Sequence, residues 1–314
     1  MKLKTIITAL FLCSISLIAN AQRGFNVQSE LEAYMEQVRT EEYAKTPNKD
    51  LFSKRNAPKL LELVKVYYID SLPKVRLKAY YLTYKAANEI TEKEQKDNAV
   101  FVLVNALKDT DSGNVGSVVS WLTDYKKGNF NREAKDSLVS ILRTQTFYRD
   151  EIIKLVAFVG LAHQVEFIKS NLNNGTYTTT KVKWAAHLAL ARFGIQENID
   201  FCLDAVKKQG VNDDVIYELV PDLIYTRQKK SFDYVIELLH DKAKNCMSGN
   251  PEHAGRIMCG YRIMEYLAPV IKDFPLDVDE TGDLEVDDYE KALKKLREWF
   301  TVHQSDYRII RNTY

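Results

Sequence analysis

Oxygen-bearing side chains recur at close spacing in one stretch of this 314-residue chain: Asp277, Asp279, Thr281, Asp283 and Asp288, arranged around Gly282. Carboxylate and hydroxyl oxygens are the ligands of hard cations, which take six to eight of them and can be held by a flexible loop without a deep cavity. Calcium binding is one expectation for this stretch, and an acidic solvated linker is the plain alternative. Sulfur and imidazole gather just before it. His240, Cys246, His253 and Cys259 follow one another at intervals of six, seven and six, which match no structural zinc pattern. Cys246 and Cys259 flank the turn-forming residues Ser248 to Pro251, so a disulfide across that hairpin is open to them in an oxidising compartment. Three buried thiols, with Cys202 as the third, is the other reading. His163 and His187 fall on expected helices with no acid or nucleophile at a fixed local spacing. The chain holds no Gly-rich phosphate loop, no H-E-x-x-H, no G-x-S-x-G and no C-x-x-C, so no catalytic residue is assigned.

Residues 277 to 288 resemble an EF-hand calcium loop. Counting from Asp277, the resemblance implies side-chain ligands at Asp277, Asp279 and Thr281, a sharp turn at Gly282 and a main-chain carbonyl ligand at Asp283. It further implies an apolar Leu284, a water-mediated contact from Glu285 and the last ligand at Asp288. Asp288 stands where a bidentate Glu is usual, and Pro275 interrupts what would be the incoming helix. Both departures are similar to dockerin loops, as is Asp288-Tyr289 with Leu293 and Leu296 in a following helix. Dockerins carry two such segments and this chain has one. The resemblance implies calcium-dependent docking through this loop.

The elements that would carry these residues are helical. A polar start followed by apolar residues at helical spacing recurs near Lys74, Asn114, Tyr148, Lys181, Asn212 and Ala254, at intervals of 31 to 42 residues. That interval is one helical hairpin with its turns. The clearest unit runs from Gln164 to Phe193. Its first helix places Val165, Phe167, Ile168 and Leu172 together, and Asn173-Asn174-Gly175 ends it. Thr178 to Thr180 offer capping hydroxyls to a second helix over 181–193, and Gly194 follows for a left-handed C-cap. Alanines at 185, 186 and 189 leave room for a neighbouring helix, with Val182, Leu188 and Leu190 as buried surface. This second helix resembles that of a HEAT-like repeat of the phycobilisome-lyase type. The resemblance implies an all-α fold, a right-handed α-α superhelix of about six hairpins, and a role in holding protein or peptide partners. Pro221 should kink the second helix of the hairpin from Ile199 to Tyr225.

The expected organisation is a signal peptide over 1–21, an N-terminal capping helix and linker over 22–56, the repeat array over 57–272, the acidic loop over 273–288, and an amphipathic helix with a tail over 289–314. Lys2 and Lys4, the apolar run Ile6 to Ile18 and Ala19-Asn20-Ala21 form the three parts of an export signal, with cleavage expected after Ala21. The run of about 13 residues is shorter than a membrane-spanning helix. Bulky Leu10-Phe11-Leu12 before Cys13 argues against a lipidated cysteine. No later stretch is apolar enough to span a bilayer. Removing Lys2 and Lys4 turns 44 basic against 43 acidic residues into 42 against 43, a balance that offers no phosphate-tracking face and excludes nucleic acid as partner. The expectation is a periplasmic or secreted, non-enzymatic scaffold that binds protein or peptide through the helical array. Calcium-dependent docking through 277–288 is the alternative, and an exported enzyme with a site between hairpins is the second alternative.

Overall fold

A computed structural model describes residues 25–248, 255–279 and 282–314. The export signal read over 1–21, with Cys13, lies outside the described residues, as do His253, Glu280 and Thr281. Among the described residues the fold is all-α: fourteen α-helices and one hairpin of two two-residue strands. No described helix is long and apolar enough to cross a membrane. The chain divides into two compact units, the first ending at Ala106 and the second beginning at Leu107. That boundary falls within one of the hairpins expected from the periodicity.

The first unit contains α1 (Val27–Thr40), α2 (Ala57–Leu63), α3 (Pro73–Glu89) and α4 (Lys93–Ala106). The Asn26 side chain accepts from the amides of Gln28 and Ser29, relieving two of the donors that a helix start leaves unpaired. Val27, Leu31, Tyr34, Met35 and Val38 lie on one face of α1 and are buried. They pack with Leu51, Leu60, Val64, Val75, Ala79, Leu82 and Ala86 in a single core. Tyr68 and Thr83 bring a polar pair into this packing, and their hydroxyls lie 2.6 Å apart. The Thr83 hydroxyl donates in turn to the Ala79 carbonyl at 2.9 Å, so neither is stranded.

The second unit holds α5 (Ser112–Leu122), α6 (Arg132–Thr144), α7 (Arg149–Val159), α8 (Val165–Asn173), α9 (Thr180–Arg192), α10 (Gln196–Lys207), α11 (Val220–Tyr225), α12 (Lys229–His240), α13 (Gly260–Leu267) and α14 (Tyr289–His303). Helix α7 is its centre. Ile152, Ile153 and every residue from Leu155 to Val159 are buried, because α7 has neighbours on several sides. On α9, Ala185, Ala186, Ala189 and Ala191 are buried, and these small side chains let α9 approach α7, α8, α10 and α11. Local signals act as the spacing predicts. The Thr179 hydroxyl accepts from the Val182 amide, and Gly194 sits at φ +86°, a conformation that glycine adopts without a Cβ clash.

Pro221 changes its helix without ending it. The chain makes a π turn over Val215–Leu219 and resumes as α11, with Pro221 in the first turn. The wider turn absorbs the missing N–H and the ring's clash with the preceding carbonyl. Between α12 and α13, β1 (Cys246–Met247) pairs antiparallel with β2 (Arg256–Ile257). Cys246 and Cys259 are joined by a disulfide across this hairpin, and Cys202 is the free, buried thiol. Of the two readings the sequence leaves open, the bridge is the one formed. A closed loop of this size limits the unfolded chain by about 3 kcal/mol.

Helix α14 buries Ala292, Leu293, Leu296 and Phe300 and rests on α12 and α13. Beyond it the chain turns at Tyr307, whose hydroxyl donates to Asp233 at 2.8 Å, and runs back over the unit as an extended segment.

Candidate functional site

The acidic loop is bonded within itself through its backbone and through Asp279 and Asp288. Val278 and Leu284 form a β-bridge, and Gly282 makes the expected sharp turn at φ +93°. The Asp283 carbonyl accepts from the Asp279 amide at 2.9 Å, and the Asp279 carboxylate accepts from the Asp283 amide at 2.9 Å. The Asp277 carbonyl accepts from Glu285 at 3.0 Å. Asp288 is the N-cap of α14, accepting from the amides of Glu290 and Lys291 and pairing with the Lys291 ammonium at 2.9 Å. Those bonds to Lys291 hold its carboxyl below the usual carboxylate range. Thr281, the remaining member of the set, lies outside the described residues. Among the described residues no three His, Cys, Asp or Glu side chains converge as a metal site requires.

The His/Cys set is not brought together as ligands either. Both sulfurs are spent in the disulfide, His253 lies outside the described residues, and His240 is exposed at the end of α12. His187 stacks on Phe201 at 3.8 Å and meets the Asn198 amide at 2.8 Å, with burial pushing its imidazole toward the neutral form. His163 is exposed.

The enclosed chemistry lies elsewhere in the second unit, where α7, α9 and α11 meet the final residues of the sequence. Arg192, the last residue of α9, has its guanidinium 5.2 Å from the Phe158 ring and 4.6 Å from the Tyr225 ring. Its Nη1 donates to the Tyr225 carbonyl at 2.6 Å and its Nη2 to the Thr313 carbonyl at 2.8 Å. Arg227 sits two residues past α11 in the left-handed region at φ +55°, a cost for a residue with a Cβ. It is 3% exposed. Its Nη1 donates to the Ile224 carbonyl at 2.7 Å, and its Nη2 to the Thr313 hydroxyl at 3.3 Å and to the main-chain oxygen of Tyr314. Its Nε is buried without any acceptor.

Residues 308–314 are held mainly through their backbone. Lys272 N–H donates to the Arg308 carbonyl at 2.9 Å, Ile310 N–H to the Val270 carbonyl at 2.8 Å, and Lys127 N–H to the Asn312 carbonyl at 2.9 Å. One aromatic side chain is taken in. The Tyr314 ring lies edge-on to Phe158 at 5.5 Å and tilted over Tyr225 at 5.1 Å, with its hydroxyl 3.4 Å from the Glu151 carboxylate. Beside it is a cavity of about 580 Å³ lined by Lys154, Asp222, Tyr225, Arg227, Tyr266 and Tyr314, with Asp283 of the acidic loop at its edge. Compared with protein-family models and with curated proteins, the chain matches none.

Burial governs the ionisation of this cleft. Asp222 accepts from the Trp184 indole at 2.6 Å, yet burial outweighs that bond and pushes its carboxyl up. The Tyr225 and Tyr314 phenols are pushed up for the same reason and stay neutral donors. Burial, then Arg192 and Arg311, push Arg227 down to about 9, while the Tyr225 phenol opposes them. It remains a cation at neutral pH, and the depression expresses the cost of enclosing it near other cations. The cleft thus offers donors for main-chain oxygens and an aromatic slot. Sequence reading missed Glu151, Arg192, Asp222, Arg227 and Tyr314, because none belongs to a local motif.

Proposed function

We propose that this protein is an exported binding protein, built of hairpins similar to HEAT-like repeats, whose second unit holds extended polypeptide segments in the cleft of α7, α9 and α11. The observation that carries this reading is the occupant already there. The chain's own residues 308–314 run over the unit with four main-chain oxygens bonded, two of them by Arg192 and Arg227 in the cleft, where one aromatic side chain is inserted. Reading backbone for affinity and one pocketed side chain for specificity is how peptide-recognition surfaces work. In the cleft the donors are Arg192 and Arg227, each also bonded to a carbonyl at the end of α11, so they are held in place before a ligand arrives.

The experiment is fluorescence polarisation with a labelled nonapeptide of the sequence Asp306–Tyr314. Against the unmodified chain the covalently attached segment competes at high effective concentration. Against a Tyr314→Ala chain, whose own segment has lost its aromatic anchor, the peptide should bind about tenfold tighter. Failure of the peptide to bind either chain at millimolar concentration overturns the proposal.

A further inference from the structure

Away from the cleft, the turn joining α8 to α9 holds the one Asn-Gly pair of the sequence, Asn174-Gly175. Both residues are exposed, while the turn is closed beneath them. Asn174 N–H donates to the Ser170 carbonyl at 2.9 Å, Tyr177 N–H donates to the Asn171 carbonyl at 3.2 Å, and Tyr177 is buried. Gly175 sits at φ +78° with nothing within 4 Å of the place a Cβ would take, and its N–H meets no acceptor among the described residues. The Asn174 side chain is held by its oxygen. Oδ1 accepts from the Thr176 amide at 2.9 Å and from the Thr176 hydroxyl at 2.7 Å. The neighbouring asparagines are placed differently. Asn171 lies within α8 and donates its side-chain amide to the Phe167 carbonyl at 2.7 Å, and Asn173 is followed by a residue that carries a Cβ.

We infer that Asn174 is a deamidation site, at which the folded chain converts its own side-chain amide into a carboxylate with water as the co-reactant. A base from solvent removes the Gly175 amide proton, and that nitrogen attacks Asn174 Cγ. The new N–Cγ bond closes a five-membered imide, the Cγ–Nδ2 bond breaks, and Nδ2 takes a proton from solvent and leaves as ammonia. Water then opens the imide at either carbonyl. Opening at Cγ gives aspartate, and opening at the main-chain carbonyl gives isoaspartate, with the backbone routed through Cγ. Nothing is oxidised or reduced. Negative charge develops on Oδ1 as the nitrogen attacks, and the two Thr176 donors already lie at the distances that stabilise an oxyanion. Without a Cβ on Gly175 its nitrogen is open to this approach, whereas a regular helix or strand would keep it bonded. Nucleophile, leaving group and oxyanion donors are thus presented together on one exposed turn.

The test incubates the folded full chain at mildly alkaline pH beside a synthetic peptide of the sequence Ser170–Lys181, and follows that tryptic fragment by mass spectrometry. The mass gain of one deamidation should appear at least as fast in the folded chain as in the free peptide, with fragmentation placing it at Asn174 and not at Asn171 or Asn173. Thr176→Val removes one oxyanion donor at an exposed position, and circular dichroism checks that the fold is kept. It should slow the folded chain about threefold, less than an enclosed donor is worth because water replaces an exposed one, and should leave the peptide's rate unchanged. Slower conversion in the folded chain than in the peptide, or an equal effect of Thr176→Val on both, overturns the inference.

Discussion

Two regions of the second unit carry concentrated charge, and they use it in opposite ways. In the acidic loop, Asp279 bonds Asp283 and Asp288 caps the helix that follows it, so these two carboxylates are satisfied by amides within four residues. In the cleft, Arg192 and Arg227 reach partners 121 and 87 residues away. The loop's groups are exposed and lose little by being solvated. Those of the cleft are enclosed by Phe158, Tyr225 and Tyr314, where an unmet bond costs its full desolvation. Clustering along the chain is therefore a poor guide to where this protein concentrates interaction energy, and enclosure is the better one.

That contrast can be broken at several points. The largest effect should come from Phe158→Ala, which removes a ring that is 1% exposed and touches both Phe130 and Tyr314. A loss of about 3–5 kcal/mol in chemical denaturation is expected, with faster hydrogen exchange in residues 308–314. Arg192→Lys keeps the charge but cannot span the Tyr225 and Thr313 carbonyls while stacked between two rings. A loss of about 1–3 kcal/mol is expected, and no measurable loss would mean that the stacked guanidinium contributes little.

Asp222 supplies a pH test. Because burial raises its carboxyl in the native state, that state holds a proton where the unfolded chain has released it. Its contribution to stability should fall as pH rises from the ordinary carboxylate range through the raised value. Asp222→Asn should remove that part of the pH dependence, seen as a smaller spread in Tm between pH 4 and 7. An unchanged spread would place the titration elsewhere.

The smallest effects belong to the acidic loop. Asp288→Ala should speed amide exchange at Glu290 and Lys291 and leave peptide binding unchanged. Millimolar calcium should shift Tm by less than about 1 °C, since Asp279 and Asp288 are already committed to amides. A large calcium-induced rise would reverse the ranking of the two regions.

Much of the fold was legible because its causes are short-range. The apolar stripe of α1, the Thr179 cap, the Gly194 terminus and the disturbance at Pro221 each depend on residues within a turn or two. The pairing of Cys246 with Cys259 was open to sequence reading because a turn separates them. Hairpin spacing could also place α7 and α9 one after the other. The cleft left no such trace. Arg192 and Arg227 read as ordinary basic residues at helix ends, where they complement the helix dipole and need no further explanation. Glu151 reads as an exposed first-turn acid. Nothing near Tyr314 in the chain distinguishes it from the other seventeen tyrosines.

By itself, then, the sequence determined an all-α chain of paired helices with their caps and breaks, since periodicity and capping are properties of neighbours. Only the tertiary structure decided which charges are enclosed. Burial depends on what distant segments cover, and the segment that covers Arg227 is the last one in the sequence.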